Sequence, residues 1–385
     1  MRMMKVWAAG VAGLVAMAMG TAAACAAPGA RTAADDQPVS ALGGVATGVQ
    51  GGAAAHVGTA VPDSLQIYFA DVEGGQATLF VMPTGESLLV DAGWPGHMDR
   101  DADRIVALCK LAGVTKIDNL VVTHYHIDHA GGVPQLAAKI PVGRYIDHGI
   151  NREAAGSVGG ASDTVAAWTA YQKLLADGHA EHMVVKPGDV LPVKGMHAEV
   201  VSADGDVLKG ALPEGGKKNA ACEASAVKPA EGTENDRSVG LLITFGKVRI
   251  VDLGDLTGGV ERGLVCPVNK LGAVDVYIVS HHGMNRSGSP ALVGALSPRV
   301  AIMDNGPTKG GSRETYETLR GLSTVSLWQL HTAERNDAEH NATEAHTANL
   351  TGTDAANYLE LTAHPDGAIS VMNSRTGSNE VYPAR

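Results

Sequence analysis

Residues 120–132, LVVTHYHIDHAGG, restrict the fold of this chain more than any other stretch. The apolar run 120–123 reads as a buried strand, and it passes directly into His124, His126, Asp128 and His129 before Gly131 and Gly132. In an extended loop residues two apart point the same way, so His124 and His126 face one space. After a turn, Asp128 and His129 face back toward it, and the two glycines allow the backbone to turn tightly. The result is a His/His pair beside an Asp/His pair, a set better suited to two adjacent borderline metal ions than to one closed structural site. Two ions need further ligands from elsewhere in the chain.

Two other strand ends offer them. The apolar run 248–252 leads into Leu253, Gly254 and Asp255. A carboxylate there can bridge two ions, or it can serve as the N-cap of a helix beginning at Leu256. The run 274–280 leads into His281, His282 and Gly283. Adjacent residues at a strand end point in different directions, so one imidazole can ligate metal while its neighbour faces the substrate. Asp147, His148 and Gly149 follow a short strand, which makes His148 a candidate for substrate or metal contact.

The rest of the pattern agrees with a layered α/β domain over residues 62–385. Strands are predicted at 65–69, 78–81, 88–90, 120–123, 198–202, 239–245, 248–252, 274–280, 300–304 and 325–330, with a terminal hairpin on 358–362 and 368–372. Helices are predicted at 99–111 and 163–176, the second from Val165, Trp168, Tyr171, Leu174 and Leu175 at helical spacing. Residues 213–236 and 332–356 are polar and read as surface insertions, with His331, His340 and His346 solvated.

The beginning of the chain reads differently. Arg2 and Lys5 precede an apolar run over 6–19, and Ala22, Ala23 and Ala24 then lead to Cys25, the pattern of a bacterial secretory signal in residues 1–25. Export to the periplasm or cell surface is the expectation. A Cys after small residues resembles the bacterial lipobox, which would anchor the protein to a membrane through lipidated Cys25. Residues 26–61, poor in bulky apolar groups, read as a flexible tether. Cys109 lies in a helical pattern as a buried thiol, whereas Cys222 and Cys266 lie near irregular segments and could be joined in an oxidising compartment. Lys and Arg number 30 against 41 Asp and Glu, a net charge of −11, which disfavours binding along a nucleic-acid backbone.

Taken together, these residues resemble the metallo-β-lactamase superfamily, and within it the competence-protein (ComEC-like) and phosphorylcholine-esterase-like branch, over about residues 65–307. The turn Asp71-Val72-Glu73-Gly74-Gly75-Gln76 is similar to that branch's Asp-Val-Gly-Gln-Gly-Asp, although Ala77 stands where the branch has its closing acid. The segments LLVDAG (88–93), His124 to His129, ENDRSVG (234–240), 253–255 and 280–283, with Ser287, Ser289 and Pro298, also match. The resemblance implies an αββα sandwich with a dinuclear site at one edge between the sheets. It places His124 and His126 on one ion, Asp128, His129 and His282 on the other, and Asp255 between them. Asp91 would orient a ligand His, and Asp71, His148, Asn235 and Ser238 would lie behind the ligands or against substrate. Other members carry a further His ligand between the first motif and the bridging Asp; this chain and the branch lack it, and Asn235 and Ser238 match the branch's Asn/Ser turn. The implied activity is hydrolysis of a phosphodiester by two divalent ions, Zn2+ or Mn2+, with a metal-bridging hydroxide as nucleophile. His281 would stabilise the oxyanion or protonate the leaving group, with Asp128 beside it in the catalytic set. The expected substrate is a small molecule or a surface ester. Hydrolysis of a lactam, lactone or thioester is the alternative, and a non-enzymatic metal-binding surface protein is a third reading.

Overall fold

The computed structural model describes residues 63–153, 164–352 and 355–385. Residues 1–25, where a signal is expected, with Cys25, and residues 26–61, where a tether is expected, lie outside the described residues. Among the described residues no helix is long and apolar enough to cross a membrane.

Several central strands, among them Leu65–Phe69, Thr78–Val81, Ser87–Val90, Val276–Ile278 and Val300–Met303, are buried at every position, so each is covered on both faces. Along Ser87–Val90, Leu88 and Val90 point to one core while Leu89 points to another, the two-residue period of a strand with buried surroundings on either side. Nine strands form the first sheet, in the order Asn379–Tyr382, Ile369–Asn373, Leu359–Ala363, Leu65–Phe69, Thr78–Val81, Ser87–Val90, Ile117–Val121, Val142–Asp147 and Glu181–Val184. Its first six strands run antiparallel to their neighbours, and from Ser87–Val90 onward the pairing is parallel.

The second sheet has eight strands, ordered Thr347–Asn349, Ser326–His331, Val300–Met303, Val276–Ile278, Val248–Asp252, Gly240–Phe245, His197–Ala203 and Asp206–Val207. Pairing from Val248–Asp252 to Thr347–Asn349 is parallel and the remainder antiparallel. Phe69, Phe80, Val90 and Val121 of the first sheet meet Leu241, Ile250, Ile278, Ile302 and Trp328 of the second in a shared core. Ile105, Leu108 and Cys109 on helix Arg100–Leu111, with Tyr171 on Thr164–Ala176, cover the outer face of the first sheet. Leu264, Leu292, Leu296 and Leu319, on helices Gly258–Val265, Pro290–Leu296 and Arg313–Arg320, cover the second. The architecture is an αββα sandwich.

The cysteines pair as Cys222–Cys266, and Cys109 is free and buried. The stretch 213–236 is not surface throughout: Lys217–Lys218 pairs with Val268–Asn269, and Glu234, Asn235 and Asp236 at its end are buried. His331 corrects the solvated reading as well. The strand Ser326–His331 carries it into the interior, where its Nε2 meets the Asp71 carboxylate at 2.7 Å. His340 bonds to Asp337, and the half-buried His346 stacks on Trp328 with ring centres 3.8 Å apart.

Candidate metal centre

The loops that leave the C-terminal ends of the parallel strands converge. Asp91 follows Ser87–Val90, His124 to His129 follow Ile117–Val121, Asp255 follows Val248–Asp252, His281 and His282 follow Val276–Ile278, and Asp304 follows Val300–Met303. Close packing permits this only where side chains are missing: a β-carbon on Gly132 would stand 2.0 Å from the Ala92 carbonyl oxygen.

Four buried residues, Asp128, His129, Asp255 and His282, turn their donor atoms toward one point, and His124, His126 and Asp255 do so toward a second. In the first group His129 Nε2 lies 3.1 Å from His282 Nε2, and Asp128 Oδ2 lies 3.2 Å from each. In the second, His124 Nε2 lies 3.1 Å from His126 Nδ1. Asp255 belongs to both, with Oδ2 3.3 Å from His129 and 4.0 Å from His124, and Oδ1 3.3 Å from His282. Asp255 Oδ1 is buried without a hydrogen-bond donor. Imidazole nitrogens and carboxylate oxygens crowded at these distances, with an oxygen left unsatisfied, form the donor set of borderline divalent cations. The residues therefore fit two ions sharing Asp255.

Neighbouring groups set which ring nitrogen faces inward. Asp91 Oδ2 accepts from His129 Nδ1 at 2.7 Å and from the Thr123 hydroxyl at 2.7 Å, while Oδ1 accepts from the Thr123 amide at 2.8 Å. With its proton on Asp91, the Thr123 oxygen accepts from His124 Nδ1 at 3.0 Å. One carboxylate thus engages Nδ1 of a histidine in each group, directly or through Thr123, and turns its Nε2 inward, the nitrogen a metal would take. Ser238 Oγ lies 3.4 Å from His124 Nδ1 and accepts from the Asp255 amide.

His281 and His282 do not sit on an extended strand end. Both adopt left-handed backbone conformations, with φ of 56° and 53°, inside the turn Ser280–Gly283. Strand alternation therefore does not apply, and both rings reach Asp255, on different oxygens: His281 Nε2 is 3.4 Å from Oδ2. His281 Nδ1 faces Ser287 Oγ at 3.3 Å. His282 Nδ1 faces Asp304 Oδ1 at 3.4 Å.

Electrostatics reinforce the arrangement. Burial alone would raise the Asp128 and Asp255 carboxyls, but Lys309 and His129 for Asp128, and chiefly His129 for Asp255, hold both well below the usual carboxylate range. Against burial, the same carboxylates raise His129 well above its ordinary value and His282 to about 10, so without an ion both rings hold a proton that a metal would displace. Burial pushes His281 down to about 4 and, with neighbouring His129 and His126, holds His124 well below its ordinary value.

Other residues named from sequence stand further back. Asp71 is held by His331 and by Arg104 at 3.0 Å. His148 Nε2 meets Glu234 Oε2 at 2.9 Å and lies outside both convergent groups, so its contact is with a carboxylate behind the loop of Tyr125. Asn235 is buried on the next turn and donates to Glu231 at 3.5 Å. Sequence reasoning missed four contributors: Thr123, Asp304, Lys309 and Glu153, whose Oε2 lies 3.5 Å from His126 Nε2. Asp304 stands at a strand end just as Asp255 does, and that signal was available; Lys309 and Glu153 lie in irregular segments without one.

Residues 70–201 match the metallo-β-lactamase superfamily. The span takes in Asp71, Asp91, His124 to His129 and His148; members of this superfamily are mostly metal-dependent hydrolases that typically bind two ions. No curated protein sequence matches the chain. Among solved structures, the chain is similar to a Cronobacter sakazakii metallo-β-lactamase with a HARLDQ motif, at 15% identity and a TM-score of 0.30 over 49% of this chain and 60% of that one. It is similar to the metallo-β-lactamase SMB-1 in complex with mercaptoacetic acid, at 15% identity and a TM-score of 0.36 over 57% of this chain and 77% of that one. A third is CmlA, a diiron β-hydroxylase from Streptomyces venezuelae, at 14% identity and a TM-score of 0.33 over 63% of this chain and 45% of that one. The matched part thus spans about three fifths of the Cronobacter protein.

Proposed function

We propose that this protein is an exported two-metal hydrolase of phosphodiesters, of the competence-protein and phosphorylcholine-esterase-like kind. The observation that carries the reading is the asymmetry of the two donor groups. Asp128, His129, Asp255 and His282 make a four-residue set, whereas His124 and His126 are joined only by the shared Asp255. Fewer protein donors on that side leave coordination positions for substrate oxygens. Bound divalent ions there would lower the pKa of a coordinated water and neutralise charge on a transferring phosphoryl group. The imidazole-rich donors favour Zn2+, and the two carboxylates admit Mn2+.

The chain's own residues orient and exclude. Asp91 and Thr123 hold His129 and His124 with Nε2 inward. Buried His281, steadied by Ser287, presents Nε2 at the edge of Asp255, where it can donate to an oxyanion or carry a proton to the leaving group. Export, a lipid anchor at Cys25 and weak binding to double-stranded DNA belong to the same proposal. They rest on the pattern of residues 1–25 and the charge of −11.

The test is a metal-loaded activity panel with a phosphodiester, a lactam, a lactone and a thioester. Preferential turnover of the phosphodiester is expected. Turnover confined to one of the other three refutes the substrate assignment, and two bound ions without turnover on any would favour a binding protein.

A further inference from the structure

Lys309 has so far only balanced the charge of Asp128, yet its ammonium reaches the metal cluster. Nζ contacts Asp128 Oδ2 and donates to the Gly74 carbonyl at 2.7 Å. It lies 5.2 Å from the centre of the Trp94 ring. The side chain keeps 29% of its surface open, unlike the His and Asp donors behind it. This is a cation at the mouth of a buried cluster, with an aromatic wall on one flank.

The backbone that carries it is fixed. The Lys309 carbonyl accepts from the Gly306 amide at 2.9 Å, and the Gly311 amide donates to the His282 carbonyl at 2.8 Å. A β-carbon on Gly306 would stand 2.5 Å from the Glu73 carbonyl oxygen, and one on Gly310 would stand 2.2 Å from that of His282. The loop is therefore clamped between the turn at 73–75 and the His282 turn, and the ammonium cannot be withdrawn by a loop movement without breaking both contacts.

Asp128 answers two demands, as a donor in the four-residue group and as the partner of Lys309. A carboxylate that gives its charge to a divalent ion satisfies an ammonium less, and that ammonium then favours another anion within reach. Its exposed surface leaves room for such an anion, and the apolar Trp94 ring 5.2 Å away replaces part of the water around the ammonium, which strengthens a charge-assisted hydrogen bond.

We propose that Lys309 is the anion-recognition residue of this site, which makes the cleft select substrates carrying a negative oxygen, such as phosphate esters, over neutral esters. The inference rests on the phosphodiester reading for its substrate class. A lysine that served only to balance Asp128 would compete with metal, so its removal would tighten metal binding and leave anion binding unchanged.

The experiment uses the full metal-loaded chain and inorganic phosphate as the probe. Calorimetry gives the phosphate Kd and elemental analysis the metal content. kcat/KM is measured for bis(p-nitrophenyl) phosphate and for p-nitrophenyl acetate. For Lys309→Met the expectation is two retained metal equivalents, a phosphate Kd weakened about 10- to 100-fold, a range typical of losing one charge-assisted hydrogen bond, and a similar fall in preference for the phosphodiester over the acetate. Lys309→Arg should restore part of both; Lys309→Gln carries the test if the Met variant does not fold. A phosphate Kd unchanged within about twofold, a parent that binds no phosphate, or metal lost together with phosphate overturns the proposal. A parent that cleaves the phosphodiester while the variant binds phosphate normally refutes Lys309 alone. A parent inactive on the phosphodiester whose phosphate binding still depends on Lys309 refutes the activity alone.

Discussion

Replacing Asp91 by Asn tests the centre through a residue that need touch no metal. Asp91 accepts three hydrogen bonds: two from Thr123 and one from His129 Nδ1. In Asp91→Asn the amide oxygen can still accept from the Thr123 amide, but the group opposite His129 and the Thr123 hydroxyl becomes a donor. The hydroxyl can accept and adapts. His129 adapts by presenting Nδ1 as a lone pair, which moves its proton to Nε2, the nitrogen 3.1 Å from His282 Nε2 and 3.2 Å from Asp128. A protonated Nε2 cannot ligate metal. Losses of this kind weaken metal affinity by about 10- to 100-fold, or about 1.4–2.8 kcal/mol. The loss should fall first on the ion held by Asp128, His129 and His282, because His129 bonds Asp91 directly whereas His124 is held only through Thr123. A chelator-competition titration with stepwise Kd values, beside circular dichroism to show an unchanged fold, makes the measurement. Two ions held as tightly as in the parent would refute the assignment of Asp91 as the group that sets the His129 tautomer.

Asp255→Asn should weaken both ions together, since one carboxylate serves both donor groups; two tightly bound ions with full turnover would reduce Asp255 to a helix cap. His282→Ala should lose metal first and activity with it, whereas His281→Ala should keep its metal and lose about 10²- to 10⁴-fold in kcat, the range for a proton carrier or oxyanion donor. Metal analysis beside kcat separates the two, and reversed results would exchange their roles. Fully buried Glu261 accepts from the Gly288 and Ser289 amides, and burial raises its carboxyl from 4.5 to about 7. A folded-state pKa above the unfolded one means the folded state holds the proton longer, so this group's contribution to stability declines as pH rises from about 4.5 to 7 and is constant above. Glu261→Gln should remove that slope, gaining on the parent at pH 8 relative to pH 5 in urea unfolding; parallel curves would contradict the raised value.

The helix at Arg100–Leu111 and most of the strands were legible because apolar spacing and strand-end glycines report local geometry directly. The convergence of His124, His126, Asp128, His129, Asp255 and His282 was legible for a different reason, since donor residues recur at strand ends and a parallel sheet delivers such ends to one edge. What could not be read was whatever depends on loops meeting across the cleft. Nothing near position 309 in the sequence says that its ammonium reaches residue 128, and the left-handed backbone of His281 and His282 has no signature in two adjacent histidines. His331 shows the same limit: a polar run after residue 331 disguises a strand that carries its last residue into the core.

The strand Leu65–Phe69 lies in the middle of the first sheet, between Thr78–Val81 and Leu359–Ala363, with Leu65 opposite Ala363. Its partner on one side follows it within a few residues, and the partner on the other side is made only once synthesis has reached residues 359–363. Until then one edge of a fully buried, largely apolar strand stays open, and pairing across so long a loop is slow. Products truncated before residue 359 would keep that edge exposed and should aggregate rather than yield a smaller functional domain. The first sheet therefore cannot be completed piece by piece in chain order, because its middle strand waits for residues 359–363.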